Sequence, residues 1–146
     1  MGKIIKIGIS KSKSGKIVDV DYATAVKGKG LLNDRKFQND NNKMKQLTLM
    51  ESENITYFNK ISNTNIDQLD FRRNLITANI KLNNLVNKEF FIGKVKVKGH
   101  DLCRPCKYLQ ELLEQKNFIK ELLLKGGLRC EILSDGDIYI NDKVSL

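Results

Sequence analysis

Residues 94–98 read KVKVK, and this alternation of lysine with valine is the clearest secondary-structure signal in the chain. Successive side chains of a β-strand point to opposite faces, so the pattern predicts a strand with one apolar face. A similar period recurs on both sides of this segment. It predicts further strands at 3–9, 16–22, 44–50, 73–80, 89–92, 129–133, 137–140 and 143–146.

Three short segments have helical spacing of their apolar residues instead, and they predict helices near 52–60, 105–115 and 117–125. In the first of them, Ile55 and Phe58 fall on one face. Strands and helices do not alternate regularly along the chain. This favours a mostly β protein, a closed or partly closed antiparallel β-barrel with about three short helices, over a doubly wound sheet. Residues 1–146 are predicted to form a single domain.

The charge of the chain favours an anionic partner. Its 146 residues include 26 Lys and Arg against 17 Asp and Glu, a formal net charge of +9. A merely basic surface is the alternative. Because lysine dominates, few aromatics interleave with it and no nucleic-acid motif is present, we expect a small anionic ligand rather than nucleic acid. The sequence has no apolar run near the roughly 20 residues of a membrane span and no signal-peptide pattern, so we expect a cytoplasmic protein without a membrane partner.

Two of the three cysteines lie at the start of the predicted helix at 105–115, Cys103 just before it and Cys106 in its first turn. The positive end of a helix dipole favours a thiolate, which can act as a nucleophile, a redox thiol or a ligand of a soft metal. A zinc site is one alternative, with His100 and Cys130 as further ligands. A thioredoxin-like redox pair is another, and both thiols could simply be buried small apolar groups. The spacing alone does not decide between these interpretations.

Two further clusters could bind an anion. Residues 27–36 (KGKGLLNDRK) combine glycines, which allow close backbone approach, with Arg35, which can bind phosphate through two hydrogen bonds. Arg72 and Arg73 enter a predicted strand side by side, so that one can turn inward while the other is solvated. An ordinary glycine-rich turn and a charge pair at a strand edge are the alternatives.

Taken in order, these pieces resemble the MOSC family (the molybdenum cofactor sulfurase C-terminal domain). The matching segments are 27–36, 44–51, 72–77, 102–106 and 136–144. The resemblance implies a β-barrel that binds the molybdenum cofactor (Mo-molybdopterin), with Cys106 as both metal ligand and catalytic thiol. The chain departs from the family at Asn33 and Asn141, where glycine is usual. Asparagine tolerates positive φ best among the other residues, so both turns can form.

The resemblance also implies a set of cofactor-binding residues. They are Lys27, Gly30, Asp34, Arg35, Arg72, Asn74 and Arg104. We expect Arg35, Arg72, Asn74 and Cys106 to line one pocket, although the sequence separates them widely.

The function that this resemblance implies is cofactor handling, delivery or sulfur transfer, with molybdoenzymes or cofactor-biosynthesis proteins as partners. A small molybdenum-dependent oxidoreductase that reduces N-hydroxylated compounds is the second interpretation. A non-catalytic zinc or redox thiol module is the third, but it has no need of Arg35, Arg72 and Asn74.

Overall fold

The computed structural model describes residues 2–12, 15–104 and 107–146. In these ranges the strands are β1 (Gly2–Ile9), β2 (Val18–Val20), β3 (Tyr22–Val26), β4 (Gly30–Leu31), β5 (Leu47–Glu51), β6 (Leu75–Ala78), β7 (Glu89–Ile92), β8 (Val95–Leu102), β9 (Leu128–Ile132), β10 (Gly136–Tyr139) and β11 (Lys143–Ser145). The α-helices there are α1 (Ser52–Ser62), α2 (Lys107–Leu112) and α3 (Phe118–Glu121). None of these helices is long and apolar enough to cross a membrane.

Seven strands of the described chain close into a barrel in the order β1, β11, β7, β8, β9, β5, β6 and back to β1. This confirms the predicted mostly β barrel. Neighbouring strands of the barrel pair antiparallel, except that β5 and β6 run parallel. The parallel pair arises because α1 returns the chain from the end of β5 to the start of β6. Strand β2 extends beyond the ring beside β1, and β10, β3 and β4 form a second small sheet.

The barrel interior is apolar because alternate strand residues point into it. Val95 and Val97, the valines of the KVKVK segment, are fully buried, whereas Lys96 and Lys98 are partly exposed. The same alternation on β9 buries Leu128, Cys130 and Ile132. These side chains belong to one continuous core that fills the barrel.

A second apolar core covers the outer face of β5 and β6. Met50 and Ile76 point outward from these two strands and are buried under the helices. Ile55 and Phe58 of α1 are both buried there, which confirms the predicted apolar face of that helix. The Phe58 and Phe118 rings meet edge to face with centroids 5.5 Å apart.

Several element boundaries differ from those predicted, for local backbone reasons. Helix α2 ends at Leu112, earlier than predicted, since Glu114 has φ of 56°, and α3 ends at Glu121, before Leu124 with φ of 64°. The predicted strand at 73–80 begins only at Leu75, because Arg72 adopts φ of 63° at the end of a 3-10 turn. Asn33 and Asn141 have φ of 70° and 75°, so both turns form with asparagine in place of glycine.

Candidate functional site

The turn that carries Arg35 is fixed to the end of β1 by Asp34. One carboxylate oxygen of this buried aspartate accepts the Ser10 amide at 3.0 Å, and the other accepts the Lys36 amide at 3.3 Å. The Arg35 amide in turn donates to the Ser10 carbonyl at 2.7 Å. Asp34 therefore acts on the site through the backbone, by holding the turn in place.

Gly30 allows this turn to fold back closely. Its φ is +131°, and a Cβ there would lie 3.2 Å from the Gln46 carbonyl oxygen and 3.4 Å from the Phe37 Cα. Only glycine adopts this conformation without strain. The same Cβ would lie 3.6 Å from the Lys36 carbonyl oxygen, so the close approach also positions the backbone of Lys36. Gly30, a predicted cofactor-binding residue, thus has a positioning role in the structure.

Three basic residues, Arg35, Lys36 and Arg73, form what we call the cationic cluster. Burial of the Lys36 ammonium and the nearby charges of Arg73 and Arg35 lower the pKa of Lys36 to about 8. Cys103 and Asp34 also lie near Lys36 and offset part of this decrease. Within the described residues, the Lys36 ammonium makes no hydrogen bond or ion pair. Such a group of half-buried cations favours an anion.

Gly126 and Gly127 precede β9 at the end of the barrel that we call the rim, and they link Arg73 to Cys103. The Arg73 Nε donates to the Gly126 carbonyl at 2.8 Å, and the Cys103 amide donates to the Gly127 carbonyl at 2.7 Å. Gly127 has φ of +113°, and a Cβ on it would lie 2.0 Å from the Leu49 carbonyl oxygen. The glycine is thus required for β9 to start this close to β5.

The two adjacent arginines diverge, as the sequence predicts, but through the backbone turn at Arg72 rather than through strand alternation. The Arg72 guanidinium donates to the carbonyls of Gly15 and Ser12, at 2.9 and 3.5 Å. Arg73, not Arg72, is the arginine that lies beside Lys36. A cofactor contact of Arg72 stays a prediction.

Asn74 lies within the barrel wall. Its amide oxygen accepts the Thr48 amide at 3.2 Å and lies 3.3 Å from the Thr48 hydroxyl, and its amide nitrogen donates to the Gly8 carbonyl at 3.2 Å. Asn74 therefore links β1 to β5 just ahead of β6. These bonds account for the buried amide without a ligand, and its cofactor contact also stays a prediction.

Two other predicted cofactor-binding residues lie apart from the cationic cluster. Lys27 is exposed beside Gly28, whose amide donates to Ile132 at the far end of β9 from Gly127. The exposed Arg104 guanidinium lies 3.4 Å from the Asp101 carboxylate. Of the predicted set, the structure places only Arg35 in the cluster itself, with Asp34 and Gly30 supporting its turn.

Cys106, the predicted metal ligand and catalytic thiol, lies outside the described residues together with Pro105. The other thiols can be placed. Cys130 is fully buried, which raises the pKa of its thiol well above the usual value, with a further contribution from Cys103. The Nε2 of His100 lies 2.8 Å from the Glu131 carboxylate. In the described part of the chain, no group of three or more His, Cys, Asp or Glu side chains is placed to hold a metal ion.

Lys36 and Arg73 are the two site residues that sequence reasoning did not select. Both lie within the motif segments 27–36 and 72–77, directly beside Arg35 and Arg72. The signal that could have indicated Arg73 is the adjacency of two arginines, of which one can face inward. Nothing local distinguishes Lys36 from the many lysines of the chain, because its burial depends on Gly30 and on contacts with distant segments.

The family model described as "MOSC domain" matches residues 34–145, and the chain belongs to this family. The structure is similar to the YuaD protein from Bacillus subtilis, with a TM-score of 0.83, 16% identity, and coverage of 99% of this chain and 94% of that one.

Two further solved structures share the fold. YiiM from Geobacillus stearothermophilus has a TM-score of 0.77 at 15% identity and covers 100% of this chain and 75% of its own. YiiM from Escherichia coli has a TM-score of 0.71 at 15% identity and covers 99% and 69%. At these identities the likeness is one of fold. No curated protein sequence matches the chain significantly.

Proposed function

We propose that this protein binds the molybdenum cofactor, Mo-molybdopterin, at the cationic cluster, and that it handles the cofactor by delivering it or transferring sulfur to it. The observation that carries the proposal is the half-buried Lys36 beside Arg73 and Arg35. Like charges repel, and burying an ammonium without a partner lowers stability. An arrangement of this kind is expected where an anionic ligand offsets the cost on binding.

The donor set at the rim fits this cofactor. Lys36, Arg35 and Arg73 would hold its phosphate, since charge-assisted hydrogen bonds to phosphate are strong. Cys106 would supply the thiolate that a soft metal prefers. When bound, the cofactor would supply oxo or sulfur transfer at its metal. The chain's own contribution would be to fix the phosphate end through the turn that Asp34 holds, and to present the thiol.

The test is cofactor content after expression in a host that makes the cofactor, with molybdenum measured by mass spectrometry and pterin by fluorescence after oxidation. We expect both in the wild type. Lys36→Met should lower retained pterin by about tenfold or more, because it removes a charged contact worth about 1.5–3 kcal/mol. Lys88→Met, at an exposed site, is the matched control. Equal retention in both variants would count against the cationic cluster as the phosphate site.

The two cysteines test the metal end of the proposal separately. Cys106→Ala should abolish molybdenum retention, whereas Cys103→Ala should reduce it little, because the family resemblance selects the second thiol. Equal loss from both folded variants would favour a shared metal site or a redox pair. Turnover of an N-hydroxylated base by loaded wild type with a chemical reductant would favour the oxidoreductase over the carrier.

A further inference from the structure

The outward face of the small sheet carries two exposed, stacked tyrosines. Tyr22 on β3 pairs directly with Tyr139 on β10, and their ring centroids are 5.6 Å apart at an interplanar angle of 27°. The two residues are 53% and 50% exposed. Half-exposed aromatic pairs on an open sheet face are enriched where a protein contacts another molecule.

Two carboxylates, those of Asp137 and Asp142, contact Tyr139, and Asp137 also accepts the Thr24 hydroxyl at 2.6 Å. The Tyr139 hydroxyl donates to Asp137 at 3.4 Å, and the proximity of the Asp137 charge raises the pKa of Tyr139. Asp142 accepts the Tyr139 amide at 2.8 Å. The chain as a whole carries a net charge of +9, so an acidic face is not what its composition alone would produce. The charges of Asp137 and Asp142 are opposite in sign to those of the cationic cluster.

A cleft of about 550 Å³ adjoins Tyr22 on the same side of the molecule. Its walls include Asp19, Asp21 and Asn33. Asp19 keeps 59% of its side chain exposed, and its only ion pair within the described residues is the long 3.9 Å contact with Lys6. Both acidic side chains are thus accessible to a ligand.

From this arrangement we propose that the Tyr22–Tyr139 face and the adjoining cleft form a docking surface for an arginine-rich segment of a partner protein. A guanidinium stacks on the face of an aromatic ring and pairs with carboxylates at its edge, which are the two kinds of group present here. A lysine side chain would pair with the carboxylates as well, but it would stack less favourably on the rings. A peptide fits this extended surface better than a small molecule does, because Tyr22 both stacks on Tyr139 and lines the cleft.

The docking surface and the cationic cluster share one turn of the chain. Asn33 lines the cleft, and Arg35 and Lys36 follow it in the same turn. An arginine-rich segment bound here would therefore have to end short of this turn, because Arg35 and Lys36 carry the same charge as the segment. Docking of such a segment is independent of the anion proposed for the cationic cluster.

Binding is tested with a fluorescent hexa-arginine peptide and the full chain, measured by anisotropy at low salt. Asp19→Asn with Asp21→Asn should weaken binding by about tenfold, because two accessible charges are lost. The control is Glu111→Gln with Glu114→Gln near α2, which changes net charge equally at exposed positions. Tyr22→Ala should weaken binding by about threefold or more through lost stacking.

Three outcomes would overturn the proposal. One is no detectable binding of the hexa-arginine peptide. Another is equal loss in the two double variants, which would mean attraction to net charge alone. The third is competition by free arginine amide as strong as that by the peptide, which would indicate a small-molecule site. Circular dichroism of each variant verifies that a loss reflects the surface and not the fold.

Discussion

Cys130 on β9 lies in the barrel interior, whereas Gly127, just before β9 begins, lies at the rim. Cys103 and the cationic cluster also lie at the rim. Cys130 pairs with Leu47 and Gly99 on the neighbouring strands and lies in the continuous apolar core. At the rim, a half-buried lysine lies beside two arginines. The packing of the chain itself accounts for the interior. The rim is less stable than a neutral rim would be, and the proposed anionic ligand would offset this cost on binding.

The largest effect is expected where the two regions join. Gly127→Ala should destabilise the protein by about 3 kcal/mol or more, because the new Cβ would overlap the Leu49 carbonyl and the backbone must move. The control is Gly28→Ala, at φ of +73°, whose Cβ would meet only the Asn41 side chain. Its cost should be about 1 kcal/mol. Urea unfolding of both variants gives the comparison, and similar losses would show that the β5–β9 contact is looser than described.

The two described cysteines test the comparison directly. Cys130→Ser should cost about 2 kcal/mol, since it buries a hydroxyl in an apolar core without a partner. Cys103→Ser should cost less, because the Lys36 ammonium lies near the Cys103 side chain. Denaturant unfolding measures both values. A larger loss for Cys103→Ser would mean that the rim is packed like the interior.

Much of the barrel follows from the sequence, because period-2 alternation reports burial directly. The KVKVK segment is the clearest instance, and Val95 and Val97 do point into the core. The parallel pairing of β5 with β6 has no comparable signal, since alternation is the same in both orientations. Helix ends were also missed where Glu114 and Leu124 adopt positive φ, which their residue types do not favour.

The site was less accessible to prediction, because it depends on contacts between distant segments. Arg35 could be selected from its own glycine-rich segment. The choice between Arg72 and Arg73 depends on the positive φ of Arg72, and the burial of Lys36 depends on how Gly30 folds the turn back. The role of Asn74 in linking β1 to β5 is likewise visible only once these strands are adjacent.

Lys36 gives the rim a specific pH dependence. Its pKa is about 8 in the folded protein against an ordinary 10.5, so between these values the unfolded chain binds more protons. Stability should therefore rise with pH across this window. Below the window, the charged Lys36 destabilises the folded protein to its full extent. Lys36→Met should stabilise the cofactor-free protein at pH 7 by about 1–2 kcal/mol, with the gain vanishing toward the top of the window.

Thermal unfolding of wild type and Lys36→Met from pH 7 to 10.5 measures this gain, with Lys88→Met as the exposed control. A Lys36→Met variant that is less stable than wild type at pH 7 would show that the ammonium is satisfied within the chain. The rim would then need no external anion, and the contrast with the interior would disappear.

The smallest effect is expected at Glu51, a buried carboxyl that the chain itself partners. One of its oxygens accepts the Leu82 amide at 3.2 Å, yet burial raises the pKa of Glu51 above the ordinary 4.5, with a minor contribution from Glu53. The folded state thus retains the proton to higher pH than the unfolded chain. Its stabilising contribution is complete below the ordinary pKa and is lost as pH rises through the folded one, the opposite direction to Lys36.

Glu51→Gln removes this titration but keeps an oxygen that can accept the Leu82 amide. We expect the stability of wild type relative to this variant to fall as pH rises from the acid side, by less than about 1 kcal/mol in total. The same substitution at the exposed Glu111 controls for the change in net charge. Chemical unfolding at a series of acid pH values is the measurement. If wild type instead gains stability relative to Glu51→Gln over this range, the ionised carboxylate is stabilised within the chain, and a buried charge would not by itself indicate an external ligand at Lys36.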